Sequence, residues 1–217
     1  MTTTSSVSIN NPIAIYYHVY QHGNWQDLVG EQLALIYSSG LYEACSFINI
    51  SINGEQYFPF KAEKYRIHYN HEPWLEETPT LISLRDFCLN NNDWKIFYFH
   101  TKGVTQSIPE TNDWRKLMEY FCIERWADCL EQLNKYDTVG CLYMDNCYYG
   151  FYPHYSGNFW WTNSEYIKKL DDSYLSTGIR QNREFWIGTG GGLMYSFFDT
   201  GLNHYTIRLP REAYATS

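Results

Sequence analysis

Apolar runs of strand length recur along the chain and are separated by polar or amphipathic stretches. Runs of about four to eight residues rich in β-branched and aromatic side chains are typical of strands. The first is IAIYYHVY, and the later run WKIFYFH is almost continuously apolar, as in strands covered on both faces. The pattern predicts strands over residues 13–20, 45–52, 65–69, 94–100 and 138–144.

Amphipathic segments lie between these runs. In each of them, apolar residues recur near helical spacing, which places them on one face of an α-helix. Thr80 or Ser83 is the candidate N-cap of one helix, and Asp113 is the candidate N-cap of the longest. The pattern predicts helices over residues 25–37, 80–90 and 113–133 and a shorter one near 163–170, whereas residues 184–187 are predicted to form a helix or a strand.

Strands and helices alternate up to about residue 145, which predicts βαβ units and a mostly parallel sheet. The last third has shorter extended runs, and we expect it to supply an antiparallel edge. These runs lie at residues 153–161, 193–198 and 204–209. The chain is therefore predicted to be an α/β protein with one domain over residues 12–217, preceded by a flexible Ser/Thr/Asn-rich arm over residues 1–11.

Aromatic residues make up 19% of the chain, with 21 Tyr and 8 Trp. Tyr and Trp combine an apolar ring face with a polar group, which suits sugars with their CH faces and hydroxyl edges. The alternative is an aromatic-rich core, and we favour it for most of these rings because aromatic side chains dominate cores.

Charge and targeting features exclude several classes of partner. The net charge is −8 and no basic stripe is present, which disfavours nucleic acids and anionic membrane surfaces. No apolar run approaches the ~18 residues of a membrane span, and the N-terminus lacks the regions of a signal peptide. The six cysteines form no C-x-x-C pair, so we expect free thiols in a cytoplasmic protein.

Polar side chains follow the predicted strands at the ends where open α/β sheets bind ligands. The candidates are Tyr17, His18 and Tyr20 at the first strand, His100, Thr101 and Lys102 at the central strand, and Asp145 after the fifth. In the stretch YFHTKG, Lys102 supplies a positive charge for an anion and the following glycine allows backbone N–H groups to approach. A plain strand exit with a solvated lysine is the competing interpretation.

Two further stretches carry candidate chemistry. PHYSGNFWW offers polar groups and a flexible glycine for a sugar or phosphate, with paired indoles for stacking: Ser156, Gly157, Asn158, Trp160 and Trp161. One of the two tryptophans is expected in the core. RQNREFW places the carboxylate of Glu184 beside an apolar Phe-Trp pair, which suits acid–base work, although a surface pair with Arg183 is the competing interpretation. Arg115 is a further candidate phosphate ligand, or else a helix-surface residue.

The order of these motifs resembles glycosyltransferases of the GT-A fold over roughly residues 12–198. The motifs are YFHTKG, WRKLMEYF, YDTVG, PHYSGNFWW and R-x-x-x-E-x-W-I. HYSGNFWW is the most specific part. Within that group, the motifs most resemble the N-terminal glycosyltransferase domain of a chlorovirus protein that helps to build capsid glycans.

The resemblance implies a nucleotide-binding α/β domain that transfers sugar from a nucleoside-diphosphate sugar, expected to be a UDP-sugar, to a glycan or glycoprotein acceptor. For a virus-encoded member it implies the host cytoplasm and capsid glycosylation. GT-A enzymes usually hold Mn²⁺ or Mg²⁺ with an Asp-x-Asp pair, and this sequence has none. Either Lys102 neutralises the diphosphate itself, or His154 and another carboxylate bind a metal.

For the catalytic carboxylate we expect Glu184 first and Asp145 second. One rival function is a non-catalytic carbohydrate-binding protein, which the aromatic content fits and the βαβ alternation does not. The other rival is a cysteine-dependent hydrolase, but no cysteine lies in a recognisable nucleophile motif.

Overall fold

A seven-stranded sheet forms the centre of the computed structural model, which describes residues 11–145 and 152–215. Its order is β3-β2-β1-β4-β8-β5-β9, and β6 pairs with β7 in a separate two-stranded sheet. The strands are β1 (Ile13–Tyr20), β2 (Phe47–Asn53), β3 (Tyr65–Asn70), β4 (Lys95–His100), β5 (Thr138–Gly140), β6 (Tyr143–Met144), β7 (His154–Tyr155), β8 (Trp160–Asn163) and β9 (Met194–Ser196).

The sheet is mostly parallel, which confirms the predicted α/β class. β1 pairs in parallel with β2 and β4, β2 with β3, and β5 with β9. β8 is antiparallel to both β4 and β5, so the antiparallel strand lies inside the sheet and the prediction of an antiparallel edge was wrong. The parallel register of β1 and β2 aligns Tyr20 with Asn53, so the carboxyl ends of these two strands lie side by side.

Helices cover both faces of the sheet. They are α1 (Trp25–Ser38), α2 (Leu41–Ala44), α3 (Thr78–Asn90), α4 (Pro109–Glu119), α5 (Trp126–Gln132), α6 (Ser164–Ile167), α7 (Ser173–Ser176) and α8 (Asn182–Phe185). Alternate residues of β1 enter opposite cores: Tyr17 packs in the core that includes α1 and α4, and Tyr16 in the core that includes α3. None of the described helices has the length and apolar character needed to span a bilayer.

The long helix predicted over residues 113–133 is interrupted. Helix α4 begins earlier, with Pro109 in its first turn, where a missing N–H costs nothing. A π-helical turn, Tyr120–Glu124, then separates α4 from α5. The side chains of residues 120–123 are all buried there, and a regular helix with one apolar stripe does not bury four in succession.

Other predicted boundaries also moved. α3 begins at Thr78 after Glu77, so neither Thr80 nor Ser83 is its N-cap. The fifth strand stops at Gly140, since Leu142 adopts a φ of 59° and turns the chain.

Residues 204–209 do not form the predicted strand. Residues 204–206 form a turn, in which the ring of His204 stacks on Trp114 and that of Tyr205 meets the same indole edge-on. Of the predicted arm, residues 1–10 lie outside the described residues.

Candidate active site

A cleft of about 810 Å³ opens at the carboxyl ends of β1, β2 and β4. Parallel strands bring these ends to one edge of the sheet, where α/β proteins place their ligands. The cleft brings together many of the predicted residues, namely His18, Tyr20, His100, Thr101, Lys102, His154, Ser156 and Glu184.

Glu77 lies at the floor of this cleft, and sequence reasoning missed it. Its Oε2 accepts hydrogen bonds from the Tyr98 hydroxyl at 2.6 Å and from Nδ2 of Asn158 at 2.8 Å. Its Oε1 lies 3.8 Å from Nδ1 of His100. Burial alone would raise the pKa of Glu77, but His100, His18 and the two hydrogen bonds outweigh it and hold that pKa at about 2.

The two strand-end histidines are held by the protein around them. Nε2 of His100 donates to the backbone oxygen of Gly157 at 3.0 Å. Nδ1 of His18 lies 3.2 Å from the hydroxyl oxygen of Thr80, and burial lowers the pKa of His18 to about 4, so its ring is neutral at neutral pH. Both rings therefore serve as fixed polar walls of the cleft.

Glu77→Gln is expected to lower the free energy of unfolding at pH 7 by about 3 kcal/mol, because a pKa difference from 4.5 to about 2 stabilises the folded state by that order. Since the folded-state pKa is depressed, this stabilisation is complete above about pH 4.5 and is lost as the pH falls towards 2. Urea unfolding at pH 7 and pH 3 measures it. Glu131→Gln, an exposed control on α5, should leave the free energy of unfolding unchanged at both pH values. If Glu77→Gln lost as much stability between pH 7 and pH 3 as the wild type does, this account would be contradicted.

Lys102 extends from the chain where it leaves β4. Its Nζ lies 3.8 Å from the ring centroid of Trp114 and 5.7 Å from that of Tyr205, so two aromatic faces stabilise the charge. Burial lowers the pKa of Lys102, and the nearby carboxylates of Glu184 and Glu77 partly oppose that shift. Thr101 anchors this exit, since its hydroxyl oxygen accepts a hydrogen bond from the backbone N–H of Tyr20 at 3.0 Å.

One rim of the cleft is the segment around α8. Arg183 fixes it to the start of α3: its Nε donates to the Thr78 hydroxyl at 2.7 Å, and its Nη1 donates to Glu76 at 3.0 Å. Arg180 is 72% exposed, with its Nε 3.6 Å from Glu76. The same short segment thus presents an exposed cation, Arg180, and a carboxylate, Glu184, to the cleft.

His154 does not belong to a metal centre built by the described residues. Its Nδ1 donates to the backbone oxygen of Tyr152 at 3.0 Å, and its ring packs edge-on against Phe185. In residues 11–145 and 152–215, no group of at least three His, Cys, Asp or Glu side chains could hold an ion. The donor set around His154 therefore does not fit Mn²⁺ or Mg²⁺.

A second pocket of about 460 Å³ adjoins the cleft and shares Lys102, Gly103 and Thr111 with it. Arg115 lines this second pocket and not the first. Its Nη1 donates to Glu119 at 2.7 Å and its Nη2 to Glu31 at 3.1 Å.

Some predicted site residues lie elsewhere. Trp160 and Trp161 are fully buried and have no free ring face, so neither can stack on a sugar as expected. Tyr17 is also buried, and its hydroxyl donates to Gln32 at 2.6 Å inside the core. Asp145 is exposed and does not line the cleft formed by the described residues.

Gly157 and Asn158 lie behind the cleft wall. A Cβ on Gly157 would come within 2.5 Å of the sulfur of Met118, so this glycine permits the close approach of α4 rather than of a ligand. Asn158, with a φ of 60°, directs its amide to Glu77. Both residues therefore build the floor of the site.

The five described cysteines are all buried, which argues against a cysteine nucleophile among them. Burial raises the pKa of Cys45 to about 11 and that of Cys88 to about 12, so both are thiols at neutral pH. Cys147 lies outside the described residues.

Comparison with known proteins finds one family model and 15 chains of solved structures, among them the two named below. The model of the family "Domain of unknown function (DUF8361)" matches residues 14–176. The bifunctional IspDF from Campylobacter jejuni is 10% identical with a TM-score of 0.43, over 92% of this chain and 53% of its own, so the chain spans about half its length. A 4-diphosphocytidyl-2C-methyl-D-erythritol synthase is 12% identical with a TM-score of 0.46, over 95% of this chain and 97% of its own. No curated protein matches.

Proposed function

The chain belongs to the family described as "Domain of unknown function (DUF8361)", and we propose that this member is a glycosyltransferase. In this proposal it transfers a sugar from a nucleoside-diphosphate sugar, most simply a UDP-sugar, to a glycan acceptor. Its backbone would be a variant of the GT-A arrangement, in line with the motif resemblance.

The observation that carries the proposal is the position of Lys102 between two adjoining pockets. The pockets measure about 810 and 460 Å³, and each is large enough for one part of a small ligand. The ligand that fits has two bulky parts joined by an anionic linker at the lysine. A nucleoside-diphosphate sugar has this form, with its diphosphate as the linker.

The reaction requires charge stabilisation more than covalent chemistry. The bond between the anomeric carbon and the diphosphate oxygen breaks, the diphosphate leaves with the electron pair, and the acceptor oxygen bonds to the anomeric carbon. Lys102, which is partly buried, stabilises the leaving charge, with Arg180 as a second cation at the rim. The acceptor proton then passes to a base.

Glu184 is the proposed carboxylate for this chemistry. In an inverting reaction it accepts the acceptor proton, and in a retaining one it stabilises the positive charge on the sugar. Within residues 11–145 and 152–215, the His, Cys, Asp and Glu side chains do not form a site for Mn²⁺ or Mg²⁺. Lys102 takes over the neutralisation that an Asp-x-Asp metal pair usually provides.

Titration calorimetry with UDP, GDP, CDP and ADP tests the proposal. We expect UDP to bind with one site per chain and to compete with a UDP-sugar, and a panel of UDP-sugars to yield slow release of UDP by transfer to water. A carbohydrate-binding protein without transferase activity would ignore all four nucleotides. That result would overturn the proposed function.

A further inference from the structure

Trp74 is the most exposed large hydrophobic residue in the described part of the chain, at 70% exposure. It lies on a single 3-10 turn, Pro73–Leu75, and lines the cleft. By contrast, Trp114, Trp160 and Trp161 are each at most 3% exposed. A solvent-facing indole beside a cleft is the kind of residue that dominates binding energy once a ligand covers it.

The indole of Trp74 has no partner among the described residues. It makes no ring contact with another described aromatic side chain, whereas the ring of Trp114 contacts those of His204 and Tyr205. Its N–H forms no hydrogen bond within the described ranges either. No described side chain therefore occupies the ring face or the N–H donor of Trp74.

The groups around Trp74 favour a neutral ligand with many hydroxyls. Glu76 and Glu77 lie two and three residues after it in sequence and line the same cleft, as does Glu184. Carboxylate oxygens accept hydrogen bonds from hydroxyls and repel phosphate or carboxylate groups. Since Arg180 is paired with Glu76 at 3.6 Å, we expect the anionic part of a ligand at Lys102.

From this arrangement we propose that Trp74 forms the binding site for the acceptor, with its indole stacked on the apolar face of a neutral pyranose ring. This proposal rests on the proposed transferase function. The donor sugar has to lie inside the cleft, next to the diphosphate at Lys102, whereas the ring at Trp74 lies at an open rim. An open rim lets the rest of a glycan extend into solvent.

Tyr205 is the second exposed aromatic of the cleft, 53% exposed, and it lies beside Lys102. Because its ring is already close to the lysine, we assign it to the donor side. Trp74 and Tyr205 thus divide the cleft into an acceptor side and a donor side. Substitution of Trp74 should weaken acceptor binding, and substitution of Tyr205 should weaken UDP binding.

Saturation-transfer-difference NMR tests the acceptor site without knowledge of the natural acceptor. The probes are methyl pyranosides of glucose, galactose, mannose and xylose at millimolar concentration, with and without UDP. We expect transfer to the CH protons of one ring face in the wild type and loss of it in Trp74→Ala. Trp74→Phe should retain part of it, since a phenyl ring still stacks. Tyr57→Ala, 54% exposed and outside the cleft, is the control and should match the wild type.

In a transfer assay that uses as acceptor the methyl pyranoside with the strongest NMR signal, Trp74→Ala should raise the KM for that pyranoside about tenfold, with a much smaller effect on the KM for the UDP-sugar. Absence of signal from every pyranoside in the wild type, or equal signal in Trp74→Ala, would overturn the acceptor site. Failure of the proposed function is separate, since it shows as absent UDP binding and leaves the NMR result intact.

Discussion

Lys102→Met is expected to weaken UDP binding by about a hundredfold, because a diphosphate in a largely enclosed site loses its central cation. Methionine has nearly the same length and keeps the packing on Trp114, where Nζ now lies 3.8 Å from the ring centroid. The change therefore removes charge with little loss of shape. Titration calorimetry with UDP measures the effect.

The matched control is Lys135→Met, an exposed lysine after α5 and outside both pockets. It should bind UDP as the wild type does. Uridine, which lacks the phosphates, should bind equally to wild type and to Lys102→Met. If Lys102→Met retained wild-type affinity for UDP, the lysine would not hold the diphosphate and the two-pocket interpretation would fail.

The same lysine gives the affinity a predicted pH dependence. Burial lowers the pKa of Lys102 from its ordinary 10.5, so the free protein loses this charge at a lower pH than an exposed lysine would. A bound diphosphate favours the charged form. UDP affinity should therefore be constant below the lowered pKa and fall as the pH rises through it, with proton uptake on binding in that range. Lys102→Met should lack this alkaline fall.

The central parallel strands β1, β2 and β4 could be predicted because most of their residues are buried on both faces. β1 was predicted over its full length, and β4 differs by one residue at its start, since a run of apolar residues leaves no alternative to a covered strand. β8 was harder, because its residues lie in a short apolar stretch whose direction depends on the path of the chain between β5 and β8. The sequence carries no local signal for that path.

Glu77 could not be predicted because its meaning depends on partners far away in sequence. It lies in the stretch EPWLEETPT, where three glutamates look alike. Its hydrogen-bond donors, Tyr98 and Asn158, lie 21 and 81 residues away. The preceding glutamate, Glu76, points instead to Arg183, so one step along the chain separates the floor of the cleft from its rim.

The HYSGNFWW motif was predicted to contact the ligand, but several of its side chains pack inside the protein instead. The indole N–H of Trp161 donates to the backbone oxygen of Cys122 at 2.8 Å, and that of Trp160 donates to Asn158 at 2.8 Å. Their rings stack on Phe97 and Tyr98 of the neighbouring strand. The motif therefore contributes in two ways, since His154 and Ser156 line the cleft whereas Asn158 supports Glu77 from below.

Glu184→Gln is expected to lower kcat for sugar transfer by about 10²- to 10⁴-fold, the range that a positioned acid or base contributes. The amide keeps the size of the carboxylate and removes both its charge and its basicity. UDP affinity should change little, because the diphosphate is held by Lys102. Progress curves with a UDP-sugar and a separate UDP titration measure the two quantities.

The position of Glu184 supports such a clean separation of turnover from binding. Arg183, its neighbour, is buried and fixed to Thr78 and Glu76, so α8 stays in place when Glu184 changes. Glu212→Gln, an exposed carboxylate outside the cleft, is the control and should retain wild-type turnover. Glu184→Asp should have a kcat between those of the wild type and Glu184→Gln, because it keeps the negative charge on a side chain shorter by one methylene.

A wild-type rate in Glu184→Gln would remove this carboxylate from the chemistry and leave Asp145 as the next candidate, with Asp145→Asn as its test. Loss of UDP binding in Glu184→Gln would instead assign the residue to donor recognition. The two variants together therefore distinguish a cleft that only binds a nucleotide from one that also catalyses sugar transfer. The Lys102 variant should lose affinity for UDP, whereas the Glu184 variant should lose the rate of transfer.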